Sequence, residues 1–211
     1  MKVLTARSRD IERAARIVRA GGVVAFPTDT VYGLACDPRN PKGLSKLLLV
    51  KGKRGKPIPV LVASQKLADR IAVMDSKARA LASRFWPGPL TLVLKPQVRF
   101  PRLLTAGRRT IGVRCPKNRI ALQLIRKCGG FVTGTSANLT GHSPCTSAAM
   151  VGRYLGDRID ATIDGGRSPR RSASTVVRVH SRGVTMLREG PIRESQIRRV
   201  LSVIPSSDRR G

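Results

Sequence analysis

Carboxylates are scarce in this sequence: twelve Asp and Glu stand against 41 Lys and Arg, a formal net charge of +29. Histidine is scarcer still, with only His142 and His180. The four cysteines, Cys36, Cys115, Cys128 and Cys145, never fall at metal-ligand spacing. That excludes the usual zinc patterns and leaves no protein metal site to expect. A chain of 211 residues buries enough surface to hold a core without staples, so the thiols are expected to be reduced and structural. Aromatic residues make up only 3%, too few for a base-stacking platform. No apolar run approaches the roughly 20 residues of a membrane span, and the first residues hold no apolar segment with a cleavage site. A cytoplasmic protein with no membrane partner is expected. Glycine-rich phosphate-binding loops, the G-x-S-x-G elbow and the H-E-x-x-H zinc motif are all missing, so the familiar phosphate and hydrolase templates fail.

What is present is positive charge, unevenly spread. From Ser76 through Gly156 there is no acidic residue, while fourteen Lys or Arg occur. Such a field draws polyanions and weakens steeply with salt, which makes tRNA or double-stranded RNA a candidate partner. A basic background shared by a whole proteome would give the same charge, and composition does not separate the two.

Periodicity sketches the elements. Ile11, Ala14, Ala15 and Val18 lie at helical spacing over Asp10 to Ala20, with Ser8 as N-cap and Gly21-Gly22 as the stop. Further helices are expected from Pro41, from Gln65 to Arg84 (one helix, or two broken near Asp75), over Asn118–Lys127, near Ser147–Leu155 and over Glu194–Leu201. Strands are expected at 22–26, 31–35, 58–62, 90–94, 110–114, 131–135, 161–164, 174–179 and 184–188. The fold class is α/β: one domain over 1–205, a twisted mixed β-sheet flanked by helices, with a polar tail at 206–211.

Four polar clusters fall where strands or helices end: PTDTVYGL from Pro27, KGKRGKP from Lys51, TIGVR from Thr110 and SANLTG from Ser136. Ligands of open α/β sheets gather at such ends. The cations and glycines of residues 51–57 suit a phosphate chain, and equally suit a solvated helix C-terminus. The residues alone reach a basic, phosphate-compatible α/β domain and stop there.

Seven segments in order, PTDTVYGLACDP, the Lys-rich segment, FWPGPLTLVL, TIGVRCP, TSANLTG, STVV and LREGPI, resemble the YrdC-like family of L-threonylcarbamoyladenylate synthases. The likeness runs from about Ile11 to Leu201 and is to the short, single-domain form. It implies a YrdC-like fold with a basic central groove. It also implies a reaction: L-threonine, bicarbonate and ATP give threonylcarbamoyl-AMP and pyrophosphate, for modification of tRNA beside the anticodon by a partner threonylcarbamoyl transferase complex. Mg2+ would enter with ATP, held mainly by its phosphates. By the resemblance Thr30 and Arg114 bind L-threonine, Arg114 as a fork for the carboxylate. Lys51, Lys53, Arg54, Thr110, Ser136, Asn138 and Arg188 contact the nucleotide, and Lys51, Arg54, Ser136 and Asn138 are catalytic. One departure stands out. The family's Lys-x-Arg places arginine where this chain has Lys53, in a segment one residue shorter than usual. Either Lys53 substitutes without the planar fork, or Arg54 fills the role through a local shift, and the reading leans to Arg54. Lys51→Ala and Arg114→Ala are expected to abolish adenylate formation and leave the fold intact. Two other readings accompany this one: a non-catalytic RNA-binding module of the same fold, and a carbamoyltransferase relative.

Overall fold

Two hydrophobic periods, about 3.6 for helices and 2 for strands, account for most elements of the computed structural model, which describes residues 1–52, 55–169 and 172–203. Its first part runs β1 (Lys2–Thr5), α1 (Ser8–Arg19), β2 (Val24–Phe26), β3 (Gly33–Ala35), α2 (Pro41–Lys51) and β4 (Val60–Val62). The middle follows as α3 (Gln65–Ala68), α4 (Ser76–Phe85), β5 (Leu90–Leu94), α5 (Arg102–Thr105), β6 (Ile111–Arg114) and α6 (Arg119–Lys127). It ends with β7 (Phe131–Thr133), β8 (Thr135–Ser136), α7 (Ala148–Leu155), β9 (Ala161–Asp164), β10 (Thr175–His180), β11 (Gly183–Arg188) and α8 (Glu194–Ser202). Lys53, Arg54 and the tail at 206–211 lie outside the described residues.

The mixed sheet expected from the sequence is present as two. One has the strand order β1-β9-β2-β3-β8, the other β11-β10-β5-β6-β4-β7, and each combines parallel and antiparallel pairs. The segment read as a single strand at 131–135 passes from the second sheet to the first at Gly134. There a Cβ would lie 2.3 Å from the Leu61 side chain, so no larger residue fits the crossing.

Helix signals translate well. The α1 stripe Ile11, Ala14, Ala15 and Val18 is buried as spaced. Asn40, Asp75, Asn118 and Ser147 each cap the helix that follows by accepting a backbone N–H. Asp75 is also the break in the 65–84 segment, which is two helices. At α1 the expectation differs: Ser8 is the first helical residue, Arg7 takes the cap position, and no side chain caps it. Asp10 instead turns back to accept from the N–H and hydroxyl of Thr5, tying α1 to β1. Strand β1 itself was not foreseen. It exists by pairing in parallel with β9, some 160 residues away, Lys2 against Ala161.

Strand alternation divides the six-stranded sheet into two faces. Leu90, Leu92 and Leu94 of β5, Ile111 and Val113 of β6, Val60 and Val62 of β4 and Val177 of β10 enter the larger core with α2, α4 and α7. The intervening residues point to the other face. A second core lies under α1 and α6, closed by Val24 and Phe26 of β2. Strand β2 is apolar throughout because Val23 and Ala25 face the larger core while Val24 and Phe26 face the smaller.

Candidate active site

The face of the six-stranded sheet turned away from the larger core forms the floor of a cavity of about 630 Å³. That is ample for a nucleotide-sized ligand, since such sites run to roughly 300–1,000 Å³. Register alone decides the floor: Thr91 and Val93, Gly112 and Arg114, Leu61, and Val176 and Arg178 line it. The paired rows Val176–Thr91, Arg178–Val93 and Val93–Gly112 put them on one side. Gly112 keeps the floor low, since a Cβ there would come within 3.2 Å of Thr91 and 3.4 Å of Pro59. The end of α2, the 28–31 turn, β8 and the loop after it form the walls.

Every sequence-expected site residue that is described lines this one cavity: Thr30, Lys51, Thr110, Arg114, Ser136, Asn138 and Arg188. Lys53 and Arg54 fall outside the described residues. Lys56, which the sequence offered only as part of the 51–57 cluster, lines it too, as do Arg108 and Arg178, which sequence reasoning had not singled out. Among the described lining residues there is no carboxylate.

At one end stands Arg114, in the last position of β6 and 6% exposed. Its Nη2 donates to Asp29 Oδ1 at 2.6 Å, its Nη1 to Thr30 Oγ1 at 3.1 Å, and its Nε to the Gly88 carbonyl at 3.0 Å. Gly88 is held in turn by its N–H on the Cys115 carbonyl, so the WPGP turn serves to aim the guanidinium. Three of five N–H groups are engaged, and two remain for a ligand. Burial depresses the pKa of Arg114, and the Asp29 carboxylate opposes that shift. Asp29 also accepts from the Lys117 N–H, while its Oδ2 is buried without a partner. This carboxylate was inside a quoted motif but had no role assigned. Its signal was an acid next to a strand end in a chain with few acids.

At the other end stands Lys51, the last residue of α2, beside the left-handed Gly52 that stops the helix. Its ammonium donates to the Ser136 carbonyl and to Asn138 Oδ1, both at 2.8 Å. Asn138 is fixed by donating from Nδ2 to the carbonyls of Leu139 and His142, and its Oδ1 also accepts from the Ser136 hydroxyl. Both acceptors of Lys51 are neutral, and among the described residues no carboxylate pairs with it. Burial pulls its pKa down to about 8. A desolvated cation without a counter-charge, facing a cavity, is an arrangement that an anion completes. Of the two readings left open for residues 51–57, the geometry of Lys51 favours the phosphate.

A third group lies along β5 and β10. Arg188 donates from Nε to the Ser174 carbonyl at 2.9 Å and from Nη2 to its hydroxyl at 3.2 Å. The Ser174 hydroxyl lies 2.8 Å from that of Thr91. Ser174 is the first residue of the STVV segment, again quoted without a role. The four cysteines are free and buried, and burial raises the pKa of each. They offer no reactive thiolate. Among the described residues no helix is long and apolar enough to cross a membrane.

Comparison with known proteins gives a consistent result. A Sua5_yciO_yrdC family model, described as "Telomere recombination", matches residues 16–190. The Threonylcarbamoyl-AMP synthase of Halorhodospira halophila is 40% identical over 157 residues, 74% of this chain and 82% of that protein. The Threonylcarbamoyl-AMP synthase of Bacillus subtilis is 38% identical over 205 residues, 95% of this chain but 59% of its own length. Among solved structures, P. abyssi Sua5 complexed with L-threonine superposes with a TM-score of 0.89 at 34% identity, over 95% of this chain and 60% of that one.

Proposed function

This chain belongs to the Sua5/YciO/YrdC family, and from that premise we propose that it is a threonylcarbamoyl-AMP synthase, joining L-threonine, bicarbonate and ATP with release of pyrophosphate. Relatives bearing that name are enzymes that make an AMP intermediate, and this chain is an enzyme of the same kind. The observation that carries the reading is Lys51, a half-buried ammonium held, among the described residues, only by neutral oxygens and facing a cavity whose described lining has no carboxylate.

The chemistry asks for such a cavity. The amine of threonine, having lost its extra proton, takes up the carbon dioxide of bicarbonate as a carbamate with loss of water. A carbamate oxygen then attacks the α-phosphorus of ATP while pyrophosphate leaves. Two anions must meet in line, so charge neutralisation and placement matter more than a side-chain nucleophile. Arg114 would take the threonine carboxylate on its two remaining N–H groups, beside Thr30. Lys51, oriented by Ser136 and Asn138, would neutralise charge where the carbamate meets the phosphate chain. Arg188, braced on Ser174, and Thr110 would hold the nucleotide. Mg2+ would enter with ATP as part of that substrate, carried by the phosphates.

The product is proposed to pass to a transferase complex that modifies tRNA, in the cytoplasm where ATP and tRNA meet. The concave cavity favours the enzyme over a purely RNA-holding module, because recognition of a duplex by shape needs an open surface and not a small-ligand pocket. The test is pyrophosphate release from Mg-ATP and bicarbonate, with and without L-threonine. Release that depends on both threonine and bicarbonate is expected. Silence in every condition from folded protein would overturn the assignment and return the weight to RNA binding.

A further inference from the structure

The hydroxyls of Thr28 and Thr30 are joined to Arg114 in a row whose direction follows from elementary chemistry. Arg114 Nη1 lies 3.1 Å from Thr30 Oγ1, Thr30 Oγ1 lies 3.0 Å from Thr28 Oγ1, and Thr28 Oγ1 lies 2.7 Å from the Val31 carbonyl oxygen. A guanidinium can only donate and a carbonyl can only accept. Thr28 therefore gives its one proton to Val31, and the proton between the two hydroxyls belongs to Thr30. The backbone N–H of Thr30 also donates to Thr28 Oγ1, at 3.1 Å, which fills both acceptor positions of that oxygen. Thr30 is left with its proton committed to Thr28 and one lone pair taken by Arg114. One lone pair remains, on a residue that lines the cavity. Towards a ligand, Thr30 is an acceptor and not a donor.

We propose that Thr28 is a positioning residue that fixes the proton direction of Thr30, so that this end of the cavity presents guanidinium donors beside a single hydroxyl acceptor. That pairing fits the carboxylate and the amine of one α-amino acid: the carboxylate on Arg114, the amine nitrogen donating to Thr30. The two anchors are 3.1 Å apart, a separation that one carboxylate oxygen and the α-amine of the same molecule can span. Held this way, the amine is fixed beside the carboxylate while it is converted to the carbamate. Both hydroxyls are buried, Thr28 at 4% and Thr30 at 1% exposure, so bulk water does not offer them alternative partners.

The proposal rests on the threonine-using reading of the cavity, and the experiment separates the two. L-Threonine and L-α-aminobutyrate, which lacks the hydroxyl, are titrated into the wild type, Thr28→Val and Thr28→Ser, with thermal melts to establish folding. Thr28→Ala replaces the valine variant if the valine is not accommodated. Thr28→Val frees the Thr30 proton to turn towards the ligand amine. It should weaken both amino acids by the same factor, about fivefold for one misdirected hydrogen bond, while Thr28→Ser recovers most of the affinity. In the pyrophosphate assay the loss should appear in KM for L-threonine, with kcat at saturation little changed. Unchanged affinity in folded Thr28→Val would overturn the proposal, as would a serine variant as weak as the valine. A loss confined to L-threonine would place the ligand hydroxyl, not its amine, on Thr30 and overturn it equally. Wild type that binds neither amino acid would remove the underlying reading as well.

Discussion

The two ends of the cavity hold their cations in opposite ways. Arg114 is buried in a closed ion pair with Asp29, and its guanidinium is further fixed by Gly88 and Thr30. Lys51 is desolvated but, among the described residues, paired only with a carbonyl and an amide oxygen. The first end is electrically close to balanced, so it contributes direction: fixed N–H groups for a carboxylate of known shape. The second end carries an uncompensated charge, which a phosphate relieves. Orientation and neutralisation, the two needs of joining anions, are divided between them.

Removing Lys51 should have the largest effect on activity and the smallest on folding. Lys51→Ala is expected to lower kcat/KM for pyrophosphate release by about a hundredfold or more, the scale of losing one preorganised charge stabiliser. Its melting temperature should not fall, because the deleted charge was desolvated and unpaired. A clear drop in stability would show that Lys51 is braced more firmly than its neutral partners suggest.

Arg114→Ala should reverse the pattern. It strands Asp29, already with one unpartnered oxygen, as a buried charge, and breaking a buried pair costs about 3–5 kcal/mol. The sequence reading expected the substitution to spare the fold; the buried pair with Asp29 predicts the opposite. Denaturant unfolding should register the loss, and the double variant Asp29→Ala/Arg114→Ala should be less destabilised than Arg114→Ala alone. If the single and double variants unfold alike, the ion pair is not what distinguishes this end.

The pH dependence sharpens the contrast. Lys51 titrates near 8, below the ordinary 10.5, because burial disfavours its charged form. It is mostly charged at neutral pH and loses its proton as pH rises through about 8, so affinity for a non-reacting ATP analogue should decline across that step. Binding near pH 8 should take up protons, and Lys51→Arg, always charged, should flatten the profile. The folding sign is the reverse. Between about 8 and 10.5 the unfolded chain binds the proton more tightly, so this residue makes the empty protein more stable as pH rises through that window. Titration calorimetry in buffers of different ionisation enthalpy reads the uptake directly.

The smallest effect belongs to the third group. Ser174→Ala removes the hydroxyl that accepts from Arg188 Nη2 and meets Thr91, but leaves the Ser174 carbonyl for Nε. The KM for ATP should rise about threefold to fivefold, near 1 kcal/mol, with the KM for threonine unchanged. A matching rise for threonine would mean that Arg188 serves both substrates.

Much of this was legible before the fold. The α1 stripe, the strand over Leu90–Leu94, the helix start at Asn118 and the possible break near Asp75 depend on neighbours within a turn or a pleat, and local chemistry decides those. The motif resemblance brought Thr30, Lys51, Arg114, Ser136 and Asn138 onto one list, and they share one cavity. Strand β1 was invisible, because its partner lies at the far end of the chain. So was the division into two sheets at Gly134, because a strand that changes sheets keeps its residue pattern. Asp29 and Ser174 sat inside recognised segments yet drew no attention, since their importance lies in the partner each one meets.

By itself the sequence determined the supply of groups and their periods: an excess of cations, few acids, and strands whose alternate residues had to face opposite sides. Tertiary structure decided which cation received one of those few acids. Arg114 and Asp29 are 85 residues apart, and Lys51 and Asn138 are 87. Charge compensation depends on distances of a few ångströms, which only the closed fold sets. The same closure that neutralised Arg114 left Lys51 desolvated and without a carboxylate, and so made one end of the cavity a guide and the other a charge.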